Sequence, residues 1–234
     1  MLPASAGAGI ALYGGTFNPI HKGHIHVARA VANQLGLAEI RMVLSARPPH
    51  RDPVPIADRW AMLRLACASE PTMVADDREL HRPAQSFTVD TLTNQRRRRP
   101  WSPLYWIIGM DSLLTLTSWY RWWRILQLAH LVVVPRPGYR DGMPYALRRL
   151  AQRRLWLPPA TAMPGNSRVR NSRPRTVAGR IVLLEQPMLP ISGTEIRTRV
   201  GAGCPPTGVV ASVAQYIGDH SLYQNTDEPR GDAL

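Results

Sequence analysis

Two histidines three residues apart, His21 and His24, have the types and spacing in this chain best suited to chemistry on an anion. They close the run Gly14-Gly15-Thr16-Phe17-Asn18-Pro19-Ile20-His21-Lys22-Gly23-His24. At i and i+3 on a helix start, both imidazoles lie on one face. There they can donate hydrogen bonds to phosphate oxygens, more strongly when protonated. A zinc pair would need a third ligand, and no Cys, Glu or His motif supplies one. Gly14, Gly15 and Gly23 let backbone approach a ligand closely, and Thr16 adds a hydroxyl donor. Phe17 lies in the same loop, with a ring suited to packing. Lys22 fills the slot between the histidines and is expected to be exposed.

A short apolar run, Ile10 to Tyr13, precedes this loop, and a helical pattern from about His24 to Leu35 follows it, ended by Gly36. Strand, glycine turn and helix N-terminus together aim backbone N–H groups and a positive dipole end at an anion. We read the run as a triphosphate site. The rest of the chain repeats the alternation. Strands are expected at Ile40–Leu44, Thr72–Ala75, Leu104–Ile108, Leu131–Val134 and Ile181–Leu184, with a helix over Asp58–Ala68. Ser86 is placed to cap a helix running through Val89 and Leu92 into Arg96–Arg99. Continuous apolar strands alternating with helices predict an α/β fold, a doubly wound, mostly parallel sheet of the Rossmann-like kind. Such sheets bind ligands at the carboxyl ends of their strands, near the switch point.

The chain has 234 residues, 44% hydrophobic and 19% charged, as expected of a globular protein. No apolar run is long enough to cross a bilayer, and the N-terminus lacks a basic n-region, so the expected location is cytoplasmic, with no membrane partner. Cys67 and Cys204 stand far apart and suggest neither a disulfide framework nor a metal site. The net charge is +13, and Lys22 is the single lysine among the basic residues. Between Arg136 and Arg180 there are eleven arginines and one acid, Asp141. A nucleic-acid surface is one reading of these tracts; a solvated loop that attracts phosphorylated small molecules is the other. Sparse aromatic interleaving favours the second, and no nucleic-acid partner is expected. The stretch is read as partly helical near Tyr145–Leu155 and loose around Pro164–Pro174.

The opening run resembles the signature of the HxGH nucleotidyltransferase superfamily. A second segment, Ile191-Ser192-Gly193-Thr194-Glu195-Ile196-Arg197, is similar to that superfamily's ISSTxIR motif, with Gly193 in place of the second serine. Asn18 is another departure, standing where many relatives carry Asp. The middle of the chain narrows the likeness. Pro48-Pro49-His50, Ser86-Phe87-Thr88, Ile108-Gly109-Met110-Asp111-Ser112, Trp119-Tyr120 and Arg136-Pro137-Gly138 together resemble the bacterial nicotinate-nucleotide adenylyltransferase family. The likeness covers residues 10 to 223, with a poor match over 140–180. It implies a single nucleotidyltransferase domain over 10–223, after a loose 1–9 and before a frayed 224–234.

The resemblance implies the following roles. His21, His24 and Arg197 would be catalytic, with Arg197 reaching the β and γ phosphates. Gly14, Gly15, Thr16, Phe17, Gly23, Gly109, Asp111, Ile191, Ser192 and Thr194 would bind ATP. Asp111 would accept from ribose hydroxyls or cap a helix, and Ser192 would also serve as a helix cap. His50, Ser86, Thr88, Trp119, Tyr120 and Arg136 would bind nicotinate mononucleotide, with Trp119 stacked on the pyridine ring; core packing of Trp119 is the competing reading. Mg²⁺ would arrive on ATP rather than in a protein cage. The implied reaction joins ATP and nicotinate mononucleotide to give nicotinate adenine dinucleotide and pyrophosphate. An enzyme preferring nicotinamide mononucleotide, another transferase of the same fold and a nucleotide sensor without turnover remain open, as does homo-oligomerisation.

Overall fold

A computed structural model of the chain describes residues 9–47, 54–82, 87–134, 149, 152–156, 174, 176–184 and 189–224. Its strands are β1 (Ile10–Gly15), β2 (Ile40–Leu44), β3 (Met73–Asp76), β4 (Leu104–Gly109), β5 (His130–Val134), β6 (Leu155–Trp156) and β7 (Ile181–Leu183). They form one sheet in the order β3-β2-β1-β4-β5-β7-β6, and every pairing is parallel. The helices are α1 (Lys22–Leu35), α2 (Ile56–Ala68), α3 (Thr88–Arg98), α4 (Met110–Leu114), α5 (Trp122–Leu128), α6 (Gly193–Gly201) and α7 (Ala211–Asp219).

The strands alternate their side chains between two apolar layers, as the pleat requires. In β4, Tyr105 and Ile107 enter the layer built with α1, α2, α6 and α7. Leu104, Trp106 and Ile108 enter the other layer, with α3, α4 and α5. Burial on both faces explains why these strands read as unbroken apolar runs. β1 lies between β2 and β4, so the chain moves outward through β2 and β3 and then crosses back to β4. The turn after β1 therefore opens at the switch point of the sheet. α1 ends where Gly36 takes a left-handed conformation, φ 59°.

Two expectations about elements are corrected. Phe87, not Ser86, is the N-cap of α3, and it makes no side-chain cap; Ser86 lies outside the described residues. Residues 152–154 are helical as expected, but Leu155, the expected end of that helical stretch, joins Trp156 against β7 as a short edge strand. Two residues give too short a run to show a strand's alternation.

Arg96 does not belong to a solvated basic face. Its guanidinium donates to the carbonyls of Leu128, Arg99, Pro100, Ser102 and Val177, joining the ends of α3 and α5 to the segment before β7. His130 makes a related tie at the start of β5. Its Nδ1 accepts from the Arg180 N–H at 3.0 Å, so the neutral ring carries its proton on Nε2 and donates to the Thr176 carbonyl at 2.8 Å. Burial lowers this histidine to about 4, with Arg96 and Arg180 adding repulsion. Unfolded His130 takes up a proton below its usual value near 6.5, whereas the folded ring does not. Its contribution is complete above about pH 6.5 and is lost as pH falls toward about 4. Urea denaturation of wild type and His130→Asn at pH 7 and pH 4.5 should show the wild type losing roughly 2 kcal/mol more than the variant. Equal losses would show that His130 does not carry this dependence.

Candidate active site

The turn after β1 is held from behind by side chains. A Cβ on Gly14 would meet the Trp106 ring at 2.6 Å, and one on Gly15 would meet the Phe17 ring at 2.8 Å. A Cβ on Gly23 would meet His21 Nδ1 at 2.9 Å. The three glycines thus make room for the protein's own rings, where the sequence suggested room for a ligand. Phe17 takes φ 46°, and its ring is buried in the core. Any part it plays toward a ligand is confined to its backbone.

His21 is the N-cap of α1 and His24 is the third residue of that helix. The spacing does bring the rings together: their centroids are 3.7 Å apart. His24 is further enclosed by Phe17 at 5.1 Å and Tyr13 at 5.9 Å. Its Nδ1 accepts from the His21 backbone N–H at 3.3 Å. A neutral His24 therefore carries its proton on Nε2, leaving a defined donor. His21 Nδ1 is buried with no hydrogen-bond partner among the described residues. Burial lowers His21 to about 4. Burial, and then repulsion from His21, hold His24 well below 6.5. Without a ligand both rings are neutral at pH 7, so the protonated form considered from sequence is not the resting state. A bound polyanion would raise both values.

The second motif folds against the first. Ser192 is the N-cap of α6, with its Oγ accepting from the Glu195 N–H at 3.1 Å, as expected of a cap. Arg197 donates to the Asn18 carbonyl at 2.8 Å and to Thr194 Oγ1 at 3.2 Å. Tyr223 donates to Asn18 Oδ1 at 2.8 Å. A Cβ on Gly193 would lie 3.1 Å from the Asn18 carbonyl oxygen, so that residue packs against the loop. The carbonyl of Ile191 lies near Gly23, on the other side of the same junction.

On the far side of β1, Gly109 ends β4 and opens α4. A Cβ there would collide with the Asp111 carboxylate, so Gly109 makes room for Asp111 directly. Asp111 sits in the first turn and Gly109 is the N-cap; the capping role considered for Asp111 is not the one it has. Trp119 is half-buried and packs against the second apolar layer, while Tyr120 is exposed. Tyr120 stacks on Phe87 with centroids 4.6 Å apart, which brings the Trp119–Tyr120 pair to the start of α3 beside Thr88. His50, Ser86 and Arg136 lie outside the described residues. No three His, Cys, Asp or Glu side chains cluster to hold a metal ion among the described residues.

Residues 12–199 match the cytidylyltransferase-like family. A probable nicotinate-nucleotide adenylyltransferase of Aeromonas salmonicida is 43% identical over 220 residues, 93% of this chain and 98% of that protein. One from Laribacter hongkongensis is 41% identical over 224 residues, 92% of this chain and 94% of that one. This chain belongs to the nicotinate-nucleotide adenylyltransferase family. Its fold also resembles the Plasmodium falciparum nicotinic acid mononucleotide adenylyltransferase complexed with NaAD. There the TM-score is 0.69 at 18% identity, covering 93% of this chain and 98% of that one. No helix among the described residues is long and apolar enough to cross a membrane.

Arg59, Tyr223 and Trp106 support this family's opening loop here, and motif reading missed all three. The signal for Arg59 was periodicity. Arg59, Met62, Leu63 and Ala66 are spaced i, i+3, i+4 and i+7, and all face the core. Trp106 gives a direct test of how the glycines work. Gly14→Ala should destabilise the fold by about 1–3 kcal/mol through overpacking. Trp106→Phe removes the atoms that clash, and its buried indole N–H has no partner to lose among the described residues. Thermal unfolding of the double variant should recover part of the loss. Strict additivity would show that Gly14 is needed for another reason.

Proposed function

We propose that this chain transfers the adenylyl group of ATP to the 5′-phosphate of nicotinate mononucleotide, giving nicotinate adenine dinucleotide and pyrophosphate. The observation that carries the reading is the His21–His24 pair beside Arg197, at the switch point of a parallel sheet. Two motifs 170 residues apart would gain nothing from meeting there unless both served one polyanion.

The attacking phosphate is already an anion and needs no strong general base. One of its oxygens bonds to the α-phosphorus as the bond to the bridging oxygen of the β-phosphate breaks, and the electron pair leaves with pyrophosphate. The protein holds two anions in line and neutralises charge that builds on the α-phosphate and the leaving group. His24, with its proton fixed on Nε2, donates to the α-phosphate, and His21 assists. Arg197 binds the leaving pyrophosphate, exchanging a backbone carbonyl for a charged oxygen. Thr16 and the loop amides bind the triphosphate, and Asp111 accepts from ribose hydroxyls. Mg²⁺ enters on ATP as part of the substrate. Thr88, Trp119 and Tyr120 form the pyridine side of the site, with the half-exposed Trp119 face available for stacking.

Pyrophosphate release with Mg²⁺-ATP tests the reading, comparing nicotinate mononucleotide with its amide. Fast release with the acid is expected, and a preference for the amide would move the substrate assignment. His24→Ala should lower kcat by roughly 10²–10³-fold while changing the KM for ATP much less, as for a donor that acts in the transition state. A rise in KM alone would remove His24 from that role.

A further inference from the structure

Helix α2 carries an arginine where its pattern calls for an apolar side chain. Arg59 is 1% exposed, among the largest fully buried side chains of the protein. Its guanidinium is spent on backbone carbonyls. Nε donates to Val54 at 3.1 Å, and one terminal nitrogen donates to Thr16 at 3.1 Å and to Ser45 at 2.7 Å. The other terminal nitrogen donates to Ala46 at 3.1 Å. Thr16 belongs to the loop after β1, and Ser45 and Ala46 to the loop after β2. The Ser45 N–H also donates to the Gly15 carbonyl at 2.9 Å, so the two loops touch directly where Arg59 clamps them.

The chemistry of this site is unusual in its charge. A buried ion is costly unless paired with an opposite charge. Among the described residues no carboxylate forms an ion pair with Arg59. The neighbouring acid, Asp58, accepts instead from the Tyr216 hydroxyl at 2.9 Å. Tyr223, the other ionisable group close to Arg59, is kept protonated by burial. Among the described residues Arg59 thus rests on carbonyl dipoles alone, one peptide behind the loop assigned to the triphosphate. Lysine could not replace it fully, because one ammonium lacks the planar fork that reaches four carbonyls.

We propose that Arg59 is a positioning residue for the triphosphate. It fixes the β1 loop against the β2 loop, and its unpaired charge raises the affinity of that loop for polyphosphate. This rests on the triphosphate reading of the site. It places the missing counter-charge on the substrate: the site is electrostatically incomplete until a polyanion binds.

Arg59→Met and Arg59→Lys test this, with inorganic tripolyphosphate and adenosine as separate probes. Tripolyphosphate binding is followed by calorimetry and adenosine binding by NMR titration. In Arg59→Met the dissociation constant for tripolyphosphate should rise about tenfold or more, with adenosine binding unchanged. Arg59→Lys, which keeps the charge, should weaken tripolyphosphate less. Unchanged tripolyphosphate binding in a folded Met variant would overturn the proposal, as would equal weakening of both probes. If the Met variant does not fold, Arg59→Lys decides: a raised KM for ATP with unchanged adenosine binding supports the role, and an unchanged KM overturns it. A wild-type chain that ignores tripolyphosphate would overturn the triphosphate site itself. Normal wild-type binding with unaffected variants would overturn only the part given to Arg59.

Discussion

The structure depends on holding the turn between β1 and α1 in one shape before any ligand arrives. That turn is a short stretch of irregular backbone at the carboxyl end of a central strand, where a loop would ordinarily move. Here it is constrained from several directions. Trp106, Phe17 and His21 each occupy the space left by a glycine. Arg59 holds the Thr16 carbonyl, while Arg197 and Tyr223 hold the two oxygens of Asn18. These residues come from β4, α2, α6 and the segment after α7, so much of the chain takes part in fixing one loop. Preorganised donors cost little to reorganise when charge develops, which is the condition for electrostatic stabilisation of a transferring phosphoryl group.

The histidines show the same preference for prior arrangement. The His24 ring is enclosed by Phe17 and Tyr13, burial disfavours protonation of both rings, and the hydrogen bond from the His21 N–H to His24 Nδ1 selects the tautomer. A neutral pair can lie 3.7 Å apart between centroids, where two imidazolium ions would repel. A substrate charge would shift the balance toward protonation as it binds, so donor strength would grow with occupancy.

Much of the architecture was legible from the chain because its strands are buried on both faces. Ile40–Leu44 was bounded correctly by its apolar run, and Gly36 marked the end of α1 because the left-handed cap favours glycine. The two end motifs were legible as short patterns, but the contact between Arg197 and the Asn18 carbonyl was not. What failed to show in the sequence was tertiary. Arg96 looked like one of a run of surface cations, yet it serves five carbonyls from three segments. His130 carried no motif, and its role exists only once residues 176–180 lie beside β5. The rings that fill the space beside Gly14, Gly15 and Gly23 were not legible, because spacing does not reveal which side chain lies there.

In the proposed reaction two bound anions react directly, with the histidines donating hydrogen bonds and never forming a bond to phosphorus. Stereochemistry at the α-phosphorus tests that claim most directly. Transfer from ATP carrying one chiral sulfur at the α-phosphate, followed by assignment of configuration in the dinucleotide product by phosphorus NMR, should show inversion. Retention would mean two displacements through a covalent nucleotidyl-protein intermediate, with His21 or His24 as the first candidate for the nucleophile, and would contradict the account.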